Sequence, residues 1–223
     1  HAICPWEGFT DAYRDFFTPG GVVESGFAKV WLAITRRTVR LRTDVGRERR
    51  RHPQRDAWWE RLTPDLAEIE VPILVCTSFS DANLHSVGSW RAFQRVGSAE
   101  RHAFAHRGPK WATFYGEEGL AHQLAFFDRH LRQRTDVPAL PPLRLEVRDR
   151  RDHVVAVRDE HEWPLARTDW RHLHLAADGT LSDQPGAPGQ VTFDLRREAA
   201  AFEHRFAADT EVTGPMTLRL WVS

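Results

Sequence analysis

Apolar residues change their spacing several times along this chain, and each change marks a new element. From Pro72 to Thr77 (PILVCT) the run is almost uninterrupted and rich in Ile, Leu and Val. A strand buried on both faces of a parallel sheet has this pattern. Ser78-Phe79-Ser80-Asp81 follows at once as a turn-forming cluster. Val87, Trp90, Phe93 and Val96 then recur at helical spacing. A second strand is predicted at Arg101 to His106 (RHAFAH), breaking into Arg107-Gly-Pro-Lys110. Gly116 to Arg134 predicts a helix striped by Leu120, Leu124, Phe127 and Leu131, with Glu117 and Glu118 at its positive end. Strand, turn and helix form half of a βαβ unit, and such sheets place ligands and chemistry beyond the carboxyl ends of their strands.

Upstream, Ala2 to Phe17 opens as the end of a strand and turns at Pro5-Trp6. It then starts an aromatic-rich helix that Thr10 could cap, with Asp11 in the first turn. Thr18-Pro-Gly-Gly21 breaks that helix, and Phe27, Val30, Trp31 and Ile34 predict another. The charged, aromatic stretch from Arg36 to Leu66 reads as helices lying over another layer. No helix could cross Pro138 to Pro142. Beyond it the grammar becomes alternation, at Leu143 to Val147, Val154 to Arg158, Arg171 to Leu175, Val191 to Leu195 and Met216 to Trp221. Asp178-Gly179, Pro185-Gly186 and Gly214-Pro215 punctuate these segments. The expected class is therefore α/β followed by a β-sandwich.

Composition narrows the function. Lys plus Arg and Asp plus Glu both total 31 in 223 residues, so no global field points to nucleic acid or to an anionic membrane. Arg47 to Arg51 (RERRR) reads as a solvated face. Cys4 and Cys76 lack the spacing of a metal motif, and Cys76 in its strand reads as a reduced core thiol. Glu117-Glu118, Asp209 and Glu211 show no metal spacing either, and no cofactor or metal is expected. No window is apolar enough to span a membrane and no export signal is visible, so the expected location is cytoplasmic. Trp6, Trp31, Trp58 and Trp59 read as core or as the lining of an acyl pocket, and Trp90 and Trp111 as packing.

Asp81 and His106 each follow a predicted strand. An α/β-hydrolase needs such groups in the chain order nucleophile, acid, histidine. A serine hydroxyl is a poor nucleophile until an imidazole takes its proton, and a carboxylate must fix that imidazole's tautomer. Structural readings stand beside these: a helix cap or Asx-turn for Asp81, and a turn or partly buried structural histidine for His106.

Several stretches together resemble the cocaine-esterase and X-Pro dipeptidyl-peptidase (CocE/NonD) family of serine hydrolases. They are ICPWEGFTDAYRD, VPILVCTSFSDANLHSVGSWRAFQRVGS, HRGPKWATFYGEEGLAHQLAFFDRHL, LRLEVRDRRDHVV, EHEWPLARTDWRHLHL and TEVTGPMTLRLWVS. The resemblance implies the carboxyl-terminal part of an α/β-hydrolase domain over residues 1–137, with a helical cap at about 14–70. An incomplete jelly-roll β domain would follow over 143–223. It implies Asp81 in FSDANLH as the triad acid and His106 as the base, His102 pointing along the strand and His122 falling in the next helix. No G-x-S-x-G occurs, and in this family the nucleophile elbow lies upstream of the PWEG segment, so the serine is expected outside these residues. The implied partners are a small ester or short X-Pro peptide substrate and a second copy in a homodimer, with neither nucleic acid nor membrane. A binding module working through a row formed by Trp163, Trp170 and Trp221, or a hydrolase that lost its serine, are the alternatives.

Overall fold

The computed structural model describes the chain except Leu195 and Ser223 and the side chains of Ala82 and Asn83. Its contacts divide it into two units, residues 1–163 and 164–223. The first is built on a four-stranded sheet in the order β1 (Ile73–Ser78), β2 (Arg101–His106), β3 (Leu143–Arg150), β4 (His153–Glu160). β1, β2 and β3 run parallel, and β4 returns antiparallel to β3. Residues 3–7 extend the sheet beyond β1: Ile3 and Trp6 bridge in parallel to Ile73 and Cys76. Pro5, which has no N–H to give, accepts from Cys76 through its carbonyl at 3.0 Å.

Every residue of β1 is buried, as its uninterrupted apolar run requires of a strand covered on both faces. The helices fall largely where the spacing puts them: α1 (Phe27–Thr38), α2 (Val45–Arg51), α3 (Ala57–Glu60), α4 (Val87–Arg95), α5 (Lys110–Phe114) and α6 (Glu117–Arg132). Leu74, Cys76, Phe104 and Phe126 form one core between the sheet and α6. Phe16, Phe17, Ala28, Leu32 and Trp59 form a second beneath α1 and α3, which makes Trp59 a packing residue. Gly88 lets α4 approach the chain at Phe9, since a β-carbon there would stand 2.7 Å from the Phe9 backbone. No helix among the described residues is long and apolar enough to cross a membrane.

Three expectations change. The cap of the first helical turn (Ala12–Phe17) is Asp11, whose carboxylate accepts from Arg14 N at 3.0 Å, and Thr10 instead bonds elsewhere. The hairpin β3–β4, anticipated as the opening of the β portion, continues the parallel sheet. Among the described residues of the second unit, the strands that pair are β5 (His174–Leu175) and β6 (Leu181–Ser182), with an isolated bridge from Thr180 to Glu203. Residues 191–194 and 216–221 form no strand, although their alternation has the right period, and Leu195 lies outside the described residues. A strand is a paired object, and alternation supplies a face without supplying a neighbour to bond to.

Arg144 on β3 ties the first unit together. Its guanidinium donates to Glu118 on α6 at 2.8 and 2.7 Å, to the Ala105 carbonyl at 2.8 Å and to Glu146 at 3.0 Å. It also lies over the Phe104 ring, 4.5 Å from the centroid. Arg144→Met should therefore cost about 3 kcal/mol, because it breaks the tie to α6 and leaves the half-buried Glu146 to Arg148 alone. Urea unfolding checks this, and a loss under 1 kcal/mol would mean the network is ornamental.

Candidate active site

Three neighbouring parallel segments end on the same edge of the sheet, and each delivers one chemically capable side chain there. Glu7 follows the segment at 3–6, Asp81 follows β1 by three residues, and His106 closes β2. The ends are registered by backbone: Ser78 stands opposite His106, and Phe79 N donates to the His106 carbonyl at 2.8 Å. This is where open α/β sheets put ligands.

Glu7 was not among the residues that spacing singles out. Its backbone is left-handed, with φ 56°, an uncommon conformation for a residue bearing a β-carbon. That twist accompanies a carboxylate turned into the protein: the side chain is 1% exposed, with Oε1 3.1 Å from His106 Nε2. The His106 side chain is equally buried. The approach is close but not aligned as a hydrogen bond, and both Glu7 oxygens and both His106 nitrogens are buried without a hydrogen-bond partner. Lys110, at the start of α5, places Nζ 2.8 Å from Glu7 Oε2 and 3.4 Å from Asp81 Oδ2. Burial pushes the Lys110 ammonium below its ordinary pKa.

Asp81 does not cap the turn that follows it, so the helix-cap reading fails for its side chain. Oδ2 instead meets His85 Nδ1 at 2.5 Å, one turn further along, and the His85 ring stacks on Phe9. Among the described residues no ion pair or hydrogen bond joins Asp81 directly to His106. The two are linked through Lys110 and Glu7, in a row of titratable groups running His85, Asp81, Lys110, Glu7, His106 that is half-buried at Asp81 and Lys110 and fully buried at Glu7 and His106. His102 lies at the far end of β2 and His122 on α6, away from this edge.

The loop that carries Glu7 is pinned by a buried aspartate. Asp15 accepts from Thr10 N at 3.0 Å and Asp11 N at 2.9 Å, and pairs with Arg91 of α4 at 2.9 Å. The segment GFTDAYRD is thus a clamp holding the Glu7 turn against α4. Trp6 packs on Phe104 and Phe114, one residue before Glu7. Trp111 is exposed, against its reading as packing. Trp163 is buried and stacks on Trp90 with centroids 4.0 Å apart, so it cannot belong to an exposed aromatic row. No serine hydroxyl among the described residues bonds His106: Ser78 and Ser80 bond each other at 2.7 Å, and Ser89 donates to the Gly8 carbonyl.

Comparison with known proteins agrees with this topology. Two crystal structures of a CocE/NonD family hydrolase from Staphylococcus aureus superpose with a TM-score of 0.76 and 30% identity over 82% of this chain. This likeness supports membership of the CocE/NonD hydrolase family. The cocaine esterase of Rhodococcus sp. (strain MB1 Bresler) is 26% identical over 155 residues. An aminopeptidase from a marine sediment archaeon, Thaumarchaeota archaeon, shares the fold at a TM-score of 0.54 and 15% identity, covering 85% of this chain and 39% of its own. No family model matches. The chain spans 26% of the length of the cocaine esterase and 34% of the Staphylococcus structures.

Burial, partly offset by Glu146, holds the His106 pKa below its ordinary 6.5. The imidazole is therefore neutral at physiological pH, as a proton acceptor must be. Because the folded pKa is lower than the unfolded one, the unfolded chain binds more protons as pH falls below 6.5. Stability should drop through that window and level off once pH passes below the folded pKa. Histidine-ring NMR should place the His106 midpoint below 6.5, and His106→Asn should flatten that part of the stability profile. A midpoint above 6.5 would mean that Glu7 outweighs burial.

Proposed function

We propose that the protein is a serine hydrolase that cleaves acyl esters or X-Pro peptides through an acyl-enzyme, and that His106 is its general base. The observation that supports this reading is a neutral, buried imidazole at the carboxyl end of β2, with unsatisfied nitrogens and carboxylates gathered on the adjoining strand ends. A base must have a free lone pair in the resting state and a counter-charge waiting for the proton it accepts.

In this reading His106 takes the proton of an attacking serine and returns it to the leaving group. Asp81 is the triad acid at the end of β1, and Glu7 is a second carboxylate that stabilises the imidazolium. Lys110 stands between these two carboxylates, 2.8 Å from Glu7 and 3.4 Å from Asp81, and supplies them a cation while His106 is uncharged. The serine comes from outside the 223 residues, since no G-x-S-x-G elbow occurs among them. Helices α1 to α3 act as the cap over the site, and residues of the second unit belong to a jelly-roll domain that contributes to homodimer contacts. The relative named as a cocaine esterase supports the ester side of this reading.

The test uses p-nitrophenyl acyl esters and X-Pro p-nitroanilides, with fluorophosphonate labelling, on the full-length protein that carries the serine-bearing segment. His106→Ala should lower kcat by about a thousandfold or more, and Asp81→Asn by about a hundredfold to ten-thousandfold, with KM little changed. Glu7→Gln should cost about tenfold and move the acid limb of kcat/KM to lower pH, because His106 loses a charge that favours its protonated form. Full activity in both His106→Ala and Asp81→Asn would sink the assignment. No label and no turnover would remove the hydrolase reading itself.

A further inference from the structure

The opposite end of β2 carries a second cluster, which takes no part in the chemistry above. Glu100 and His102 flank the strand's first residue, and His130 reaches them from α6. One ligand atom from each of the three lies within 4.8 Å of the other two. His102 and His106 are four residues apart on one strand, about 13 Å along it.

The tautomers can be worked out from the contacts. His102 Nδ1 lies 2.9 Å from the Pro141 carbonyl, and a carbonyl only accepts. Nδ1 therefore carries the proton, and in the neutral ring Nε2 presents a lone pair. That nitrogen stands 3.9 Å from Glu100 Oε2, another acceptor, too far for a hydrogen bond. His130 Nε2 is buried and has no hydrogen-bond partner. Both rings pack on Phe126, with centroids 6.2 and 4.8 Å from it, and lie 6.3 Å from each other. The His102 lone pair, a Glu100 carboxylate oxygen and a His130 ring nitrogen thus face one another within 4.8 Å.

We propose that Glu100, His102 and His130 form a binding site for a divalent transition-metal ion of the zinc class, stapling β2 to α6. Two imidazoles and one carboxylate suit such an ion and leave a coordination position for water. The His102 Nδ1–H donated to Pro141 is the outer partner that a metal-bound imidazole commonly has, fixing the ring and raising its basicity. Tetrahedral ligands about 2.1 Å from a metal are separated by about 3.4 Å. The present spacing therefore closes on an ion by side-chain rotation of about 1 Å, most of it in Glu100, which is largely exposed. Neither cysteine takes part: Cys76 is buried in β1, and burial holds the Cys4 thiol at a pKa of about 11, far from a thiolate. The sequence hid this set because its histidines are neither motif-spaced nor on one element.

The test is calorimetric titration of the chelator-treated protein with zinc chloride alone, using four variants. Wild type should take up one equivalent saturably, with a rise in Tm because the ion binds the folded state. His102→Ala and His130→Ala should each weaken that uptake by about tenfold or more, and Glu100→Gln should weaken it measurably. His153→Ala, which removes an exposed histidine paired with Asp149, should leave it unchanged. On zinc addition, two imidazole Nε2 resonances should move together. Unaltered zinc affinity in both histidine variants would overturn the proposal, as would the absence of saturable uptake by wild type. In that case His102 holds a proton between Nε2 and Glu100 and no metal. Should either alanine variant fail to fold, Glu100→Gln and the wild-type ring resonances decide between the same two results.

Discussion

The buried guanidinium of Arg144 is the constraint on which the first unit depends. A cation taken out of water must have its donors satisfied, or it costs several kcal/mol. Here Glu118, Glu146 and the Ala105 carbonyl satisfy it. Those partners come from α6, from β3 itself and from the last turnless stretch of β2, so one charge fixes where three elements lie. Glu146 is in turn shared with Arg148 at 2.6 Å. Burial pushes its carboxyl upward, yet the two arginines hold it below the ordinary range. The same charges set the surroundings of His106, the next residue after Ala105: Glu146 favours its protonated form and Arg144 opposes it. Packing and proton affinity are thus controlled by one group.

With β2 fixed, the carboxyl edge becomes a place of deliberate imbalance. Buried polar groups nearby are well partnered, as the four bonds of Arg144 and the clamp at Asp15 illustrate. At the edge, Glu7 and His106 face each other 3.1 Å apart without an aligned hydrogen bond, on a backbone twisted left-handed at Glu7. Strain and unsatisfied groups cost stability of order 1–3 kcal/mol each, and they persist where function uses them. Lys110 offsets part of that cost by standing between the two carboxylates.

Much of this was legible in the sequence. PILVCT could only be a strand buried on both faces, and RHAFAH and the striped run at 117–132 followed it in the right order. The positions of Asp81 and His106 after consecutive strands were legible too. Their partners were not, because a partner depends on side-chain direction: Glu7 turns inward on a positive φ that no spacing rule announces. Arg144 was equally hidden. In LRLEV it occupies the polar half of an alternation and reads as solvent-facing, but α6 covers that face and supplies Glu118. The same alternation misled at 191–194 and 216–221, where apolar residues such as Leu218 and Leu220 stay exposed without a neighbouring strand.

Strand β2 carries a histidine near each end, and the contrast between them follows from what lies around each. His106 sits among charged groups on an edge where loops converge, with its nitrogens unbonded and its ring neutral through burial. His102 has one nitrogen committed to a carbonyl and the other directed at a carboxylate and a second imidazole. The first arrangement suits a proton that must come and go, since nothing holds it permanently. The second suits a cation that stays, since the ring is already oriented and cannot turn without losing Pro141. Between them, Phe104 packs with Phe126 in the core and is overlain by Arg144, which keeps water out of the strand's centre. The proposed base and the proposed metal ligand thus stand at opposite ends of a single six-residue strand, where each can be altered without touching the other.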